Sequence, residues 1–371
     1  MMKCEACGAT VSKGSLFCNK CGHKLEEQKA AVTVDKEQLK ENGKKAVEKT
    51  QKAVKAIGTS GKNATEKTKE AVMKAMDQNG DGKVDSADLI LMALKVPGVK
   101  INRKEFLQRE FFKYCQQDVI DKAIETTPAK AGIDAKLIDK ITDDVIKFER
   151  NAVSGISLAL GIPGGVAMAA TIPADIAQYY GYMIRAAQKM LYLYGFPELD
   201  TSDNKVQLDS ETINSLTVCL GIMFGVANAN NAIKAMAKAL GVGVEKQLLN
   251  KALTKGTIYP IVKQVSKWFS VKMTKEVFAG FFKKSIPVVG GVVGGSITFA
   301  TFKPCCYRLK DALKDTILSN PDHKETDEEN KLFENIKNGV IDVEPDELVE
   351  IDVELEDLVD MDTEEEDPID E

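Results

Sequence analysis

Histidine is nearly absent: the 371 residues contain two, His23 and His323, and none between them. That scarcity takes away the general base of serine–histidine and cysteine–histidine catalysis from the middle of the chain, and His-rich metal chemistry with it. Aromatic residues make up 6% and there is one Trp, so bases have few platforms on which to stack, and the basic segment 30–76 has none. Nucleic acid is therefore not the expected partner. No apolar run follows the opening MMKCEACGATV, so no secretory signal is expected and the cytoplasm is the expected compartment. No alternating β-branched run bounded by hairpin turns occurs either. What is abundant is apolar residue content: 44% over this length suffices for a sizeable core and two or three domains.

The net charge of −6 hides a division. Residues 320–371 hold 23 Asp/Glu and 3 Lys, leaving 47 Lys/Arg against 33 Asp/Glu in residues 1–319, so a body of net +14 carries a tail of net −20. Residues 340–362 alternate acid with aliphatic, as in Val340-Ile341-Asp342-Val343-Glu344. Such charge density resists folding, and the segment 320–371 is expected to be a disordered acidic tail that docks a protein partner or lies against the basic body.

Four of the eight cysteines form two tight pairs, Cys4-x2-Cys7 and Cys18-x2-Cys21, ten residues apart. Each pair can present two thiolates to one ion, and four soft ligands with tetrahedral freedom select Zn²⁺ in a closed, structural site. Gly8 and Gly22 follow the second Cys of each pair, where the chain must turn back. Residues 1–25 read as a zinc ribbon that docks a protein partner and depends on its metal to fold. The remaining thiols, Cys115, Cys219, Cys305 and Cys306, sit in apolar surroundings and read as buried rather than disulfide-bonded.

A second ion motif runs from Asp77 to Asp88. Asp77, Asn79, Asp81 and Asp85 fall at positions 1, 3, 5 and 9 of a twelve-residue calcium loop, Gly82 stands at the sharp turn, and the carbonyl of Lys83 serves position 7. Helical patterns flank it at Thr65–Met76 and Ala87–Leu94, which makes residues 65–96 an EF-hand-like Ca²⁺ module. Position 12 is Asp88 where Glu is usual, a shorter arm that weakens the grip on calcium, and no second loop pairs with this one.

Between the ribbon and this loop, residues 26–64 carry a thin stripe of small apolar residues and read as a basic linker. Beyond residue 100 the helical stripe strengthens through Phe106, Phe112, Cys115, Val119 and Ala123, then Leu137, Ile138, Ile141, Val145 and Phe148, and an all-α domain over 100–319 is expected. Three stretches in it lose their charges: Asn151–Ala174, Thr212–Ile233 and Ser285–Phe302. Each is long enough to enter a bilayer, yet Pro163-Gly164-Gly165, four asparagines in the second and four glycines in the third suit close packing inside a protein equally well. Pro173 is read as starting a helix with Asp175 in its first turn. Asp175 and Arg185 are the only charges on Ala174–Gln188, a possible polar site in an apolar groove.

Gly161-Ile162-Pro163-Gly164-Gly165, Ile172-Pro173-Ala174-Asp175, Arg185, Leu193-Tyr194-Gly195-Phe196 and the later Ile286-Pro287-Val288-Val289-Gly290-Gly291 resemble motifs of the EcsC family of bacterial proteins over about residues 115–318. The resemblance implies an α-helical domain associated with the bacterial cytoplasm or membrane. It brings no catalytic residue. The ribbon, with Phe17-Cys18 before its second knuckle, is likewise similar to short zinc ribbons of bacterial membrane-associated and regulatory proteins.

Between Lys234 and Lys284 stand 11 Lys and 2 Glu among Leu, Ile and Phe. A lysine-rich helical surface with the chain's Trp suits an anionic lipid interface, with Lys263, Lys267, Trp268, Phe269 and Lys272 expected to face it. The expected function is that of a non-enzymatic adaptor or regulator at the cytoplasmic face of a membrane. The alternatives are a membrane-inserted pore or remodelling protein and, less favoured, a hydrolase using Asp175.

Overall fold

The computed structural model describes the backbone of residues 2–3, 10–11, 70–160, 167–199, 210–284, 290–320 and 322–341, and the side chains of these outside 2–11, 154–172, 175 and 272–300. The chain divides into two compact units, Met1–Lys55 and Ala56–Glu371. In the first, strands β1 (Met2–Lys3) and β2 (Thr10–Val11) pair antiparallel, Met2 opposite Val11 and Lys3 opposite Thr10. The stretch they join contains Cys4 and Cys7, which lie outside the described residues, as do Cys18, Cys21 and the linker 26–64.

The second unit is helical, as expected of an all-α protein. Its helices are α1 (70–76), α2 (Ser86–Leu94), α3 (Arg103–Phe111), α4 (Gln117–Glu125), α5 (Ala135–Leu160), α6 (Ala167–Leu193), α7 (Ser210–Met223), α8 (Ala229–Gly241), α9 (Lys246–Thr254), α10 (Tyr259–Lys284), α11 (Gly290–Lys314) and α12 (Asp327–Lys337). Polar side chains set several starts: Asn102 accepts from the Glu105 amide at 2.9 Å and Thr326 from the Glu329 amide at 3.2 Å. At the end of α6, Gly195 takes φ +93°, and a Cβ there would lie 2.9 Å from the Cβ of Thr127, so both conformation and space require glycine.

The long helices α5, α6 and α11 pack on one another, α2 lies on α6 and α7, and α12 lies on α8. One continuous core runs from Val72 and Met76 to Phe333 and Ile336. The segment around the acidic loop is thus built into the helical domain rather than standing beside it.

Three expectations change here, and of the two readings left open for Thr212–Ile233 burial within the protein is the one seen. Helix α6 already runs from Ala167, so Pro173 sits in its second turn, giving up one backbone bond, rather than at its start. Phe148 is 58% exposed while Glu149 is fully buried, because the inward stripe of α5 steps from Ile138 through Thr142 and Val145 to Glu149. The stretch Thr212–Ile233 is broken between α7 and α8 by a turn at Gly225 (φ +72°) and Asn228 (φ +65°). Its Leu216, Val218, Cys219 and Leu220 are fully buried in the protein core. Among the described residues no helix is long and apolar enough to cross a membrane. Lastly, the acidic segment does not lose its structure at residue 320: Phe333 and Ile336 anchor α12 in the core, and disorder is not what charge imposes where an apolar stripe survives.

Candidate functional site

Sequence spacing picks out the loop 77–88, and the backbone does turn there as the motif demands, with Gly80 and Gly82 at φ +76° and +81°. Its side chains are spent on its own amides. Asp77 accepts from Gly80 (2.7 Å) and Gly82 (3.0 Å), Asn79 from Asp81 (2.9 Å), Asp81 from Lys83 (2.8 Å) and Asp85 from Ala87 (2.7 Å). Asp88, the expected closing ligand, is fully buried, and it accepts from Gln78 (2.7 Å) and Asn79 (3.2 Å) with one oxygen and from Asp85 (3.0 Å) with the other. It is a clasp that ties the loop to the start of α2. Burial first, then the neighbouring carboxylates, raise the pKa values of Asp85 and Asp88 above the ordinary aspartate value. Among the described residues no three His, Cys, Asp or Glu side chains gather in a group that could hold a metal ion.

This clasped loop is wired to α10. Ser86 Oγ, fully buried, lies 2.8 Å from Ser266 Oγ and 3.3 Å from Thr217 Oγ1, and Ser270 donates to the carbonyl of Val84 at 2.9 Å. Helix α10 was expected to meet lipid through Lys263, Lys267, Trp268, Phe269 and Lys272. Lys263, Lys267 and Val271, at successive fourth positions, do form an exposed ridge. Phe269 is instead fully buried and Trp268 half-buried, stacked edge-on to each other at 5.0 Å and on Phe224 at 5.2 and 5.4 Å. The aromatic pair holds α10 to α7 rather than facing outward. The Lys272 side chain lies outside the described residues.

At the start of α10 the chain's acidic end comes in. Ile341 bridges antiparallel to Gly256, where a Cβ would lie 2.7 Å from the Val340 carbonyl oxygen, and a Cβ on Gly339 would lie 3.4 Å from Lys251 Nζ. Ile341 thus lies next to the exposed Lys255 and near Lys251, and the sequence that follows it, 342–371, holds 17 Asp/Glu and no Lys or Arg. Further along, α12 is held by a charged cluster: His323, its side chain fully buried, bridges Asp315 (2.9 Å) and Glu329 (2.8 Å), Lys234 pairs with Asp315, and Lys238 reaches Glu325 at 2.7 Å.

Of the proposed polar pair, the Asp175 side chain lies outside the described residues. Arg185 pairs with Glu149 at 3.1 Å, and Lys189 bonds the same Glu149 oxygen. Glu149 and Lys189 escaped the sequence reading. The signal was present: a lone carboxylate on an apolar stripe needs an inward cation. Burial lowers the Lys189 pKa below the ordinary lysine value, and Glu149 only partly restores it. Cys219, Cys305 and Cys306 are buried as expected and Cys115 is half-buried; burial pushes the Cys219 and Cys305 thiols up to about 12, so they are not nucleophiles at neutral pH.

No family model, no curated protein and no solved structure matches this chain. Its function has to be argued from its own surfaces.

Proposed function

We propose that the protein is a non-enzymatic regulator that docks on anionic membrane surfaces through the lysine-bearing face of α9 and α10, and that the acidic segment 342–371 competes with lipid headgroups for that face. The observation that carries the reading is the pairing of Ile341, which the acidic segment follows, with Gly256, next to the exposed Lys255 and close to Lys251, while Lys263 and Lys267 stand exposed on the helix that follows. A run of acid tethered there sits at high effective concentration against the very cations a headgroup needs. The resemblance to the EcsC family supports the same placement in bacteria, at the cytoplasmic side of a membrane.

In this reading Cys4, Cys7, Cys18 and Cys21 hold a structural Zn²⁺, and the ribbon docks a protein partner. Zinc content per chain, and loss of the ribbon's fold on chelation, tests that part. Calcium enters as a competitor of the loop amides for the side-chain oxygens of Asp77, Asn79, Asp81 and Asp85: a rise in melting temperature with Ca²⁺ makes the loop ion-responsive, and no rise makes it a structural clasp only.

The membrane reading is tested by co-sedimentation with phosphatidylserine vesicles. Each lysine near such a surface contributes about 1 kcal/mol, so Lys263→Glu with Lys267→Glu should weaken partitioning by at least roughly tenfold. Equal binding of the double variant and the parent protein would contradict it.

A further inference from the structure

Helix α12 is held to the body by a covered imidazole. His323 Nδ1 lies 2.9 Å from an oxygen of Asp315, the residue after α11, and its Nε2 lies 2.8 Å from an oxygen of Glu329 in the first turn of α12. The side chains of His323 and Glu329 are fully buried, and the other Glu329 oxygen has no partner among the described residues. Ionised carboxylates only accept hydrogen bonds, so both ring nitrogens must donate and the arrangement calls for an imidazolium. Helix α8 completes the cluster: Lys234 pairs with Asp315, while Lys238 reaches Glu325 at 2.7 Å, bonds Asn330 and stands 4.4 Å over the Phe333 ring. His323, Lys234 and Lys238 thus face Asp315, Glu325 and Glu329, and the charges balance only while His323 carries its proton.

We propose that His323 is a pH-operated latch: protonated, it clamps α12 to α8 and the end of α11, and loss of the proton loosens α12 and with it the acidic segment that follows. A neutral imidazole has one N–H for two carboxylates, so one of the two bonds is lost. If Glu329 is the one deserted, its charge stays buried with neither oxygen paired, which is the costly state of such a group. The Asp315 side chain is 54% exposed, so the proton has a way to solvent. Within the cluster His323 is the side chain whose ordinary titration falls near neutrality. Burial opposes its charge, but the bonds to the two carboxylates prevail and raise its pKa, so the clamp is complete at low pH and weakens as pH rises through the folded-state value. The buried Phe333 and Ile336 still hold the helix, and the change is a loosening of α12 rather than unfolding of the domain. Only the consequence for lipid rests on the membrane reading: a loosened α12 draws the acidic segment away from Lys251 and Lys255.

The test is hydrogen–deuterium exchange of the full chain from about pH 6 to about pH 8.5, across the histidine range. Protection of the α12 amides, corrected for the pH dependence of intrinsic exchange, is expected to fall roughly tenfold, the worth of one hydrogen bond to a charged group, while the amides of α6 keep theirs. The chain has two histidines, so the His323 ring is readily assigned by NMR, and its titration midpoint should coincide with the loss of protection. His323→Gln should remove the pH dependence of α12. Glu329→Gln takes one carboxylate from the imidazole and should move the midpoint to lower pH; it serves alone if His323→Gln does not fold. Constant α12 protection over this range, an equal loss in α6, or a pH dependence that survives in His323→Gln would overturn the inference. Phosphatidylserine vesicles separate it from the membrane reading. Tighter binding at the higher pH by the full chain, and not by a chain ending at 341, supports both; a loosened α12 with unchanged binding contradicts the membrane reading and leaves the latch standing.

Discussion

Single residues account for much of the domain's internal order, and the clearest case is Glu149. It is fully buried with Arg185 and Lys189 on one oxygen, and its second oxygen has no partner among the described residues. Removing one member of a buried ion cluster strands the others, so Glu149→Gln should lower unfolding stability by about 3 kcal/mol in urea titration. Adding Lys189→Met should restore a measurable part of that loss. His323 makes a prediction with a sign. Burial opposes its charge, but the hydrogen bonds to Glu329 and Asp315 and their charges prevail and raise it above its ordinary 6.5. A raised folded-state value means the stabilisation is complete below about pH 6.5 and declines as pH rises through the folded value. The difference in melting temperature between the parent and His323→Gln should therefore shrink from pH 6 to pH 9; a constant difference would mean the imidazole acts by shape alone. Legibility from sequence at this scale was uneven. The position of Arg185 on a helix otherwise poor in charge was visible, but its partner comes from another helix, and no spacing within one segment reports that.

At the scale of elements, periodicity did better than punctuation. The stripes of α3 to α5 and the acidic loop with its two flanking helices were readable because burial repeats with the helical period. Pro173 misled because proline is also tolerated once a helix is under way if neighbours hold the freed carbonyl. The aromatic residues of α10 misled for a different reason: an amphipathic helix has two rims, and sequence does not tell which one carries Trp268 and Phe269 inward onto Phe224. Gly195 gives the element-scale prediction. It ends α6 at φ +93° against Thr127, so Gly195→Ala should cost about 2 kcal/mol, read by chemical denaturation, with helical content otherwise kept. A neutral outcome would show that the α6 terminus can shift without cost.

For the whole molecule, the continuous core from Val72 to Ile336 means that the acidic loop, the helical domain and α12 melt together. A chain ending at 341 should unfold in one transition at the parent's temperature, whereas one ending at 320 loses Phe333 and Ile336 from the core and should melt lower. Composition announced the division into a basic body and an acidic end. It did not announce where the division falls, because Thr326, Phe333 and Ile336 give α12 enough capping and burial to fold despite its charge.

The central claim, that this domain acts by occupying an anionic surface under control of its own acidic end, is tested most directly by vesicle partitioning. Phosphatidylcholine vesicles with and without phosphatidylserine would be offered, at low and high salt, to the full chain and to the chain ending at 341. The account predicts that the shortened chain binds the anionic vesicles more tightly than the full chain, and that salt abolishes both. If neither chain binds at low salt, or if both bind neutral vesicles as well as anionic ones, the account is contradicted.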